Sequence, residues 1–262
     1  MIQVLLWAPA VVGLLCFVVP RQGIRALSVA GALGVLLLGI VLVAGFDPDT
    51  AGLQHPVDEE WIPDLGVRYQ LGVDGISVFL VLLTTLLWSA ATLYSAFRPP
   101  ERPRSYFFML GLAETGVLGA FLAQDLLLFV LFFDLMLIPF YFLVGQWGGR
   151  DRIAATLKMV VYTLVGSLLM LVAAIATAIL VSEQTGELSF SLSYLRANVL
   201  SEGSQYWIFW FFAAAFLVKM PAFLVHGWMP DAYRAMPIPV IAVFSGVLAK
   251  VGAYGFLRVV LP

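Results

Sequence analysis

Charged residues are scarce in this chain of 262 residues. Only 11% of the residues are Asp, Glu, Lys or Arg, whereas 62% are hydrophobic and the mean hydropathy is +0.99. A soluble domain has about 25% charged residues, and a single core of this length cannot bury such an apolar excess. The composition therefore excludes a soluble enzyme, a nucleic-acid-binding protein and a disordered tail. It predicts an all-α fold, a polytopic transmembrane helix bundle surrounded by lipid.

Cysteine is almost absent. The single cysteine, Cys16, excludes a disulfide framework, a Cys-ligated metal site and an iron–sulfur cluster held by this chain alone. The sequence also contains no phosphate loop, dinucleotide-binding motif, zinc-ligand spacing or nucleophile triad. We therefore expect no catalytic side chain, no bound cofactor and no metal in this chain.

Long apolar runs are what the sequence has in abundance. A membrane-spanning helix needs about 20 mostly apolar residues, and the chain contains eight runs of about this length. They predict a bundle of about eight helices, at Ile2–Val19, Ala26–Phe46, Val73–Phe97, Tyr106–Ala123, Leu126–Trp147, Ala154–Val181, Tyr206–Val225 and Ile238–Leu261.

The basic residues divide unevenly between the two sets of loops. The loops that follow the first, third, fifth and seventh runs hold nine Lys or Arg residues, whereas the opposite side holds three. Because cytoplasmic loops are enriched in Lys and Arg, this bias places the first set in the cytoplasm. Both chain termini are then predicted to lie outside.

The first external loop, residues 47–72, is acidic and contains a second kind of pattern. Apolar and polar residues alternate from Val67 to Val73, and a period of two predicts a short β-strand. Because an isolated hairpin is marginally stable in water, we expect it to pack on a neighbouring loop or subunit. The other external segment, Ser182–Gln205, is predicted to be a loop.

Four charged residues fall inside the apolar runs: Glu114, Asp134, Lys219 and Lys250. Each lies roughly 12–20 Å along its helix, where a charge costs about 2.5–3.5 kcal/mol. One interpretation is structural, with ion pairs that hold the helices together. The other is proton transfer, since a buried lysine with a mobile acidic partner exchanges its proton readily. Because ionisable residues inside a membrane are usually functional, the second interpretation is favoured.

Two prolines interrupt the helices that carry these charges. Pro139 follows Asp134 by five residues, and Pro221 follows Lys219 by two. Each removes one backbone donor and is predicted to free the carbonyl four residues before it. Interrupted helices persist in a membrane only where other groups satisfy the freed carbonyls, and in transporters they often mark an ion site.

His226 has two interpretations. It is placed to relay protons between Lys219 and the cytoplasm, but it equally suits an interfacial histidine in an aromatic belt with Trp228 and Tyr233.

Several of these segments resemble a known family, the antiporter-like subunit M (chain 4) of the proton-pumping NADH:quinone oxidoreductase, complex I. The similar segments are Trp61-Ile62-Pro63, Leu71-Gly72-Val73-Asp74-Gly75-Ile76-Ser77, Leu82-Leu83-Thr84-Thr85, Phe132-Phe133-Asp134-Leu135-Met136-Leu137-Ile138-Pro139, Lys219-Met220-Pro221, His226-Gly227-Trp228-Met229-Pro230-Asp231-Ala232 and the run Gly246–Gly255.

The resemblance implies a domain organisation. Residues 1–104 correspond to three N-terminal helices with the external loop 47–72, and residues 105–262 to the first five-helix antiporter-type repeat, which contains a broken helix. The family has a second, inverted repeat. The 262 residues do not include it, so we expect either that this is a fragment or that a separate chain supplies the other half.

The resemblance also implies a function, proton translocation driven by quinone chemistry in other subunits. The fifth-helix acid, Asp134, would pair with Lys219, and Lys250 would pass the proton onward. Glu114 matches a fourth-helix acid of the family. At the fifth-helix position the family has Glu, so the shorter Asp134 is a departure that weakens the reach toward Lys219.

Partners and location follow from the same resemblance. The chain would bind neighbouring antiporter-like subunits in a bacterial plasma membrane. It would carry no redox chemistry itself, because flavin, iron–sulfur clusters and quinone would belong to partner subunits. The alternatives are a subunit of a multisubunit cation/proton antiporter or membrane-bound hydrogenase, and a purely structural membrane subunit.

Overall fold

A computed structural model describes residues 1–50 and 52–262. Helices dominate this part of the chain. They are α1 (Ile2–Val18), α2 (Arg21–Ala44), α3 (Ser77–Phe97), α4 (Pro103–Leu122), α5 (Leu126–Leu135), α6 (Leu137–Trp147), α7 (Arg152–Thr185), α8 (Leu192–Ala197), α9 (Glu202–Lys219), α10 (Met229–Ala235), α11 (Ile238–Val243) and α12 (Ala249–Gly255).

Six segments of the described chain are long and apolar enough to cross a membrane. They are α2, α3, α4, α5 with α6, α7, and the last span, Ile238–Val260. The last span consists of α11 and α12, each followed by a π-helical turn, at Phe244–Leu248 and Phe256–Val260. Of the other two predicted spans, α1 has 17 residues and α9 has 18. The predicted all-α membrane bundle is confirmed.

Several predicted spans differ in their bounds from the observed helices, and the third and seventh show why. The third span does not start at Val73, because this residue ends a β-strand and the carboxylate of Asp74 accepts the backbone N–H of Ser77 (2.9 Å), where α3 begins. The seventh helix ends at Lys219 and not at Val225. In both cases the apolar run extends beyond the helix, before its first residue in the third span and after its last residue in the seventh.

The segment 182–205, predicted to be a loop, is partly helical. α7 continues to Thr185 and ends where Gly186 adopts a φ of 81°, with the Gly186 N–H donating to the carbonyl of Ser182 (2.8 Å). A glycine in this left-handed conformation is a common helix terminator. α8 and the start of α9 take up more of the segment.

A two-stranded antiparallel sheet lies between α2 and α3. It consists of β1 (Gln54–Ile62) and β2 (Val67–Val73), joined by a 3₁₀ turn. β2 confirms the strand predicted from the alternation. β1 was not predicted, because its acidic residues look like loop, but Arg68 on β2 forms an ion pair with Asp58 of β1 at 2.6 Å.

The hairpin packs on neighbouring loops, as predicted. The carbonyl of Gln70 accepts the N–H of Gln124 (2.8 Å), and the carbonyl of Gly66 accepts the N–H of Phe190 (3.3 Å). Asp125 joins the sheet to α5, because its carboxylate accepts the backbone N–H groups of Arg68 (3.1 Å) and Leu128 (2.9 Å). These bonds stabilise a sheet that would be marginal alone.

α4 is the most buried of the six candidate spans and packs against α1, α3, α5 and α6. Glycines allow the close approach. A Cβ on Gly111 would lie 2.3 Å from the carbonyl oxygen of Pro9 in α1, and one on Gly119 would lie 2.2 Å from the ring of Phe132 in α5. Small residues at helix contacts are typical of membrane bundles. α4 therefore has a side facing α5 and another facing α1.

Candidate functional site

Asp134 lies beside the interruption of the span formed by α5 and α6. α5 ends one residue later, Met136 separates the two helices, and Pro139 in the first turn of α6 has no N–H with which to continue the helical bonds. The Asp134 side chain is half-buried, and its Oδ1 is buried without a hydrogen-bond partner. An acid oxygen in this state has free capacity to accept a hydrogen bond or a proton.

Lys219 is the last residue of α9 and is only 3% exposed. Its Nζ lies 3.5 Å from the carbonyl oxygen of Phe133 and 4.5 Å from the centre of the Phe133 ring. The last turn of a helix, where carbonyl groups point outward, favours a cation, and the aromatic ring adds a cation–π attraction. The amine is thus held by one carbonyl and one ring.

The structure places Asp134 and Lys219 near each other without a direct bond. The Lys219 Nζ lies 3.5 Å from the carbonyl oxygen of Phe133, the residue before Asp134. They are not among the ion pairs within 4.0 Å in the described part of the chain, which are Arg68 with Asp58 and Glu60, Lys158 with Asp231, and Arg258 with Asp74. Polar groups that are too far apart for a direct hydrogen bond are commonly bridged by water.

Another donor satisfies the carbonyl that Pro221 frees. The carbonyl of Leu217, four residues earlier, accepts the N–H of Ala222 at 2.9 Å. The next carbonyl, of Val218, accepts the indole N–H of Trp228 at 3.1 Å. The donors come from the segment that follows α9, as expected for an interrupted helix in a membrane. The helix interruption remains, but these two oxygens are satisfied.

Glu114 is buried, at 4% exposure, but it does not join the pair. On α4, Gly116 and Gly119 face Met136 and Phe132 on the α5 side. Glu114 lies about 200° around the helix from Gly116 and lines a cavity formed with α1, α2 and α3. The four intramembrane charges therefore do not form one mutually neutralising set.

Lys250 does not join the pair either. Its side chain is exposed on the surface of this chain, and its Nζ donates to the carbonyl of Gly246 at 2.6 Å. That carbonyl belongs to the π-helical turn Phe244–Leu248, and such turns are frequent at functional sites. A charged amine on an apolar surface is costly without a polar partner, and the carbonyl of Gly246 is its hydrogen-bond partner in the described chain.

His226 lies in the segment between α9 and α10 and is half-buried. Its ring stacks on Phe223, with the ring centres 6.0 Å apart, and its Nδ1 is buried without a hydrogen-bond partner. An unpartnered imidazole nitrogen is able to accept or donate a proton. The structure leaves both interpretations of His226 open.

With this geometry established, comparison with known proteins identifies the family. Residues 123–262 match the family described as NADH:quinone oxidoreductase/Mrp antiporter, transmembrane. The chain belongs to this family. The matched region includes Asp134, Lys219, His226 and Lys250, whereas Glu114 lies before it.

Individual members of the antiporter family are similar over most of the chain. NADH-quinone oxidoreductase subunit M of Rhodobacter capsulatus is 41% identical over 86% of this chain and 45% of that protein. A chain of respiratory complex I from Thermus thermophilus is 32% identical and superposes with a TM-score of 0.87, covering 100% of this chain and 53% of that one.

A chain of the Mrp complex from Dietzia has the same fold, with a TM-score of 0.79 at 22% identity over 98% of this chain and 28% of that one. This chain spans about half the length of the curated relatives that it matches.

Two polar residues of this family member were missed in the sequence. Thr156 Oγ1 and Ser167 Oγ, both on α7, are buried without hydrogen-bond partners. α7 packs against α5, α6, α9 and α10, the elements around Asp134 and Lys219. The available signal was periodicity, because residues 156, 163 and 167 are hydroxyl residues spaced seven and four apart, which places them on one helix face.

Proposed function

We propose that this chain is an antiporter-like membrane subunit of a respiratory NADH:quinone oxidoreductase, complex I, and that it takes part in moving protons across the membrane. Quinone reduction in other subunits would drive the movement, and flavin, iron–sulfur clusters and quinone would be bound there. Neighbouring antiporter-like subunits would be its partners in a bacterial plasma membrane, with the N-terminus outside. The similarity to subunit M of Rhodobacter capsulatus and to the Thermus complex supports this assignment.

The single observation that carries the proposal is the separated pair of Asp134 and Lys219. Both are buried or half-buried, each lies at the end of a helix, and no direct ion pair joins them. A direct pair would stabilise the bundle and keep its proton. A separated pair lets the lysine release its proton when the carboxylate moves or is neutralised.

Unpartnered polar atoms support a water-linked route around the pair. Asp134 Oδ1, Thr156 Oγ1, Ser167 Oγ and His226 Nδ1 are all buried and unpaired. Buried polar groups are normally hydrogen-bonded, to protein or to ordered water. We infer that water joins some of these atoms, with Lys250 accepting the proton next and Glu114 acting apart from the pair.

The test is replacement of Lys219 by Ala in the assembled complex. We expect proton pumping into membrane vesicles to fall by at least about tenfold, because a positioned proton-transfer group contributes about 10²–10⁴-fold, while the complex still assembles. Lys158→Ala is the matched control. Its Nζ pairs with Asp231 at 2.7 Å at an exposed position, so pumping should stay normal. Undiminished pumping in Lys219→Ala would show that the charges are structural.

The second candidate function is cation/proton antiport. It is favoured by the fold shared with the Mrp chain and by the family description, which covers both kinds of protein. Neighbouring genes separate the two, since quinone-reducing and NADH-oxidising subunits indicate complex I and antiporter subunits indicate the alternative.

A further inference from the structure

A small cavity lies among α1, α2, α3 and α4, on the side of α4 that faces away from Asp134. Its volume is about 20 Å³, and about 10–15 Å³ is enough for one water molecule. Most of its lining is apolar. Besides Trp88, whose indole N–H donates to the carbonyl of Leu110 (2.8 Å), four side chains with polar or thiol groups reach it: Cys16, Ser28, Thr92 and Glu114.

Glu114 is the unexplained group in this cavity. It is more than nine-tenths buried, and it receives no hydrogen bond or ion pair from the residues the structure describes. No basic side chain lines the cavity. An ionised carboxylate in such surroundings is costly, whereas a carboxylic acid bonded to a water is tolerated. Ser28, whose Oγ lies 3.4 Å from the Cys16 Sγ, supplies a further partner for that water.

A line of hydroxyl groups leads from this cavity toward the arginine-rich end of the bundle. Ser95 lies one turn beyond Thr92 on α3. Its hydroxyl donates to the carbonyl of Ala91 (2.8 Å), and its Oγ accepts from the hydroxyl of Tyr106 on α4 (3.1 Å). Both hydroxyl residues are 2% exposed. They also line a second cavity, of about 450 Å³, together with the exposed residues Arg98 and Glu101. Thr92, Ser95 and Tyr106 thus stand between a surface cavity and the buried acid.

We propose that Glu114 is a proton-binding site of its own, supplied through a water in the α1–α4 cavity and through the hydroxyl groups of Thr92, Ser95 and Tyr106. A proton that reaches the carboxylate forms its O–H bond, and the water that gave it takes one from the next hydroxyl. The water and each hydroxyl group therefore gain one proton for each proton that they give. The inference deepens the proposed function, since it gives Glu114 a route separate from Asp134 and Lys219.

The test measures proton access to Glu114 by infrared spectroscopy of the assembled complex after transfer into D₂O. The Glu114 band is identified as the carboxylic acid band that Glu114→Gln removes. We expect Tyr106→Phe, which deletes one hydroxyl and keeps the ring, to slow deuterium exchange of that band by at least about tenfold, the effect of losing one hydrogen-bonded link. Ser95→Ala tests the same link should the Tyr106 variant not assemble.

Thr84→Val is the matched control, because the Thr84 hydroxyl is also buried on α3 and, like that of Ser95, bonds to the carbonyl four residues earlier (Leu80, 2.7 Å), but Thr84 lines neither cavity. Its exchange rate should equal that of the native protein. A Glu114→Gln spectrum that loses no acid band, or equal rates in native and Tyr106→Phe complexes, would overturn the inference. Lys219→Ala should leave the deuterium-exchange rate of the Glu114 band unchanged. Pumping by Lys219→Ala and exchange at Glu114 therefore test the two proposals separately.

Discussion

A carboxylate one methylene shorter than glutamate stands at the helix break beside Lys219. Asp134 and Lys219 form no direct ion pair. The amine instead contacts the carbonyl oxygen and the ring of Phe133, the residue before Asp134. A lysine whose acidic partner is near but not bonded to it gains and loses its proton as that partner moves or is protonated.

Asp134→Glu should retain proton pumping, because glutamate keeps an ionisable carboxyl group of the same charge at the helix break beside Lys219. Asp134→Asn should lower pumping by at least about tenfold, since the amide cannot accept a proton at this site. Both are measured as acidification of vesicles that contain the assembled complex.

Asp231→Asn is the control for these substitutions, because Asp231 is exposed and pairs with Lys158 away from the helix break. Its pumping should match that of the native complex. Normal pumping in Asp134→Asn would remove this carboxylate from the proton route.

At the scale of helices and strands, the predictions that succeeded depended on local pattern. β2 was predicted because apolar and polar residues alternate from Val67 to Val73. β1 was not, because its carboxylates hide the pattern and its pairing with Arg68 depends on a strand later in the chain. The helix spans were predicted from apolar length. The start of α3 is set by Asp74 and the end of α7 by Gly186, and apolar length does not show either.

The candidate site was predicted only in part, because local pattern reveals charged residues but not the contacts between distant segments. Asp134 and Lys219 were found because charges stand out in apolar helices. The donors that satisfy the carbonyl of Leu217 and the exposed position of Lys250 depend on how segments fold back on one another. No local pattern contains that information. The division at residues 104 and 105 stays a prediction.

Gly111→Ala should destabilise the contact between α1 and α4. The added Cβ would lie 2.3 Å from the carbonyl oxygen of Pro9, a backbone atom that cannot rotate away. We expect a loss of about 1–3 kcal/mol, as is usual for overpacking, seen as a lower Tm in detergent.

Gly34→Ala provides the contrast, because a Cβ at Gly34 on α2 would meet no atom within 4 Å. The same change should there be neutral or stabilise by up to about 1 kcal/mol, since alanine loses less backbone entropy in a helix. Equal Tm losses in the two variants would mean that the close approach of α1 and α4 is not what Gly111 permits.

At the scale of the whole molecule, one ion pair joins the beginning of α3 to the end of the last span. Arg258 donates to the carboxylate of Asp74, 184 residues away, and to the side-chain oxygen of Gln124 at 2.5 Å. The carbonyl of Arg258 accepts from Arg196 of α8. This cluster connects the N-terminal helices, α8 and the last span at one end of the bundle, and it was not predicted from the sequence.

The Asp74 carboxylate makes this connection sensitive to pH. Burial works to raise the pKa of Asp74, but the hydrogen bond from Ser77 and the charge of Arg258 outweigh it and hold the pKa below its ordinary value. A carboxylate with a lowered pKa in the folded state contributes stability above its ordinary pKa of about 3.9, and this contribution is lost as the pH falls through the folded-state value.

Asp74→Asn should therefore lower the Tm near neutral pH, by the equivalent of about 1.5–3 kcal/mol expected for a hydrogen bond to a charged group. The difference from the native protein should shrink as the pH falls below about 4. Asp58→Asn is the comparison, because its pair with Arg68 is exposed and solvent screening leaves such a pair little effect on stability. If the two variants lose equal stability, or if the Asp74→Asn difference is the same at low and neutral pH, the pair with Arg258 does not hold the two halves of the bundle together.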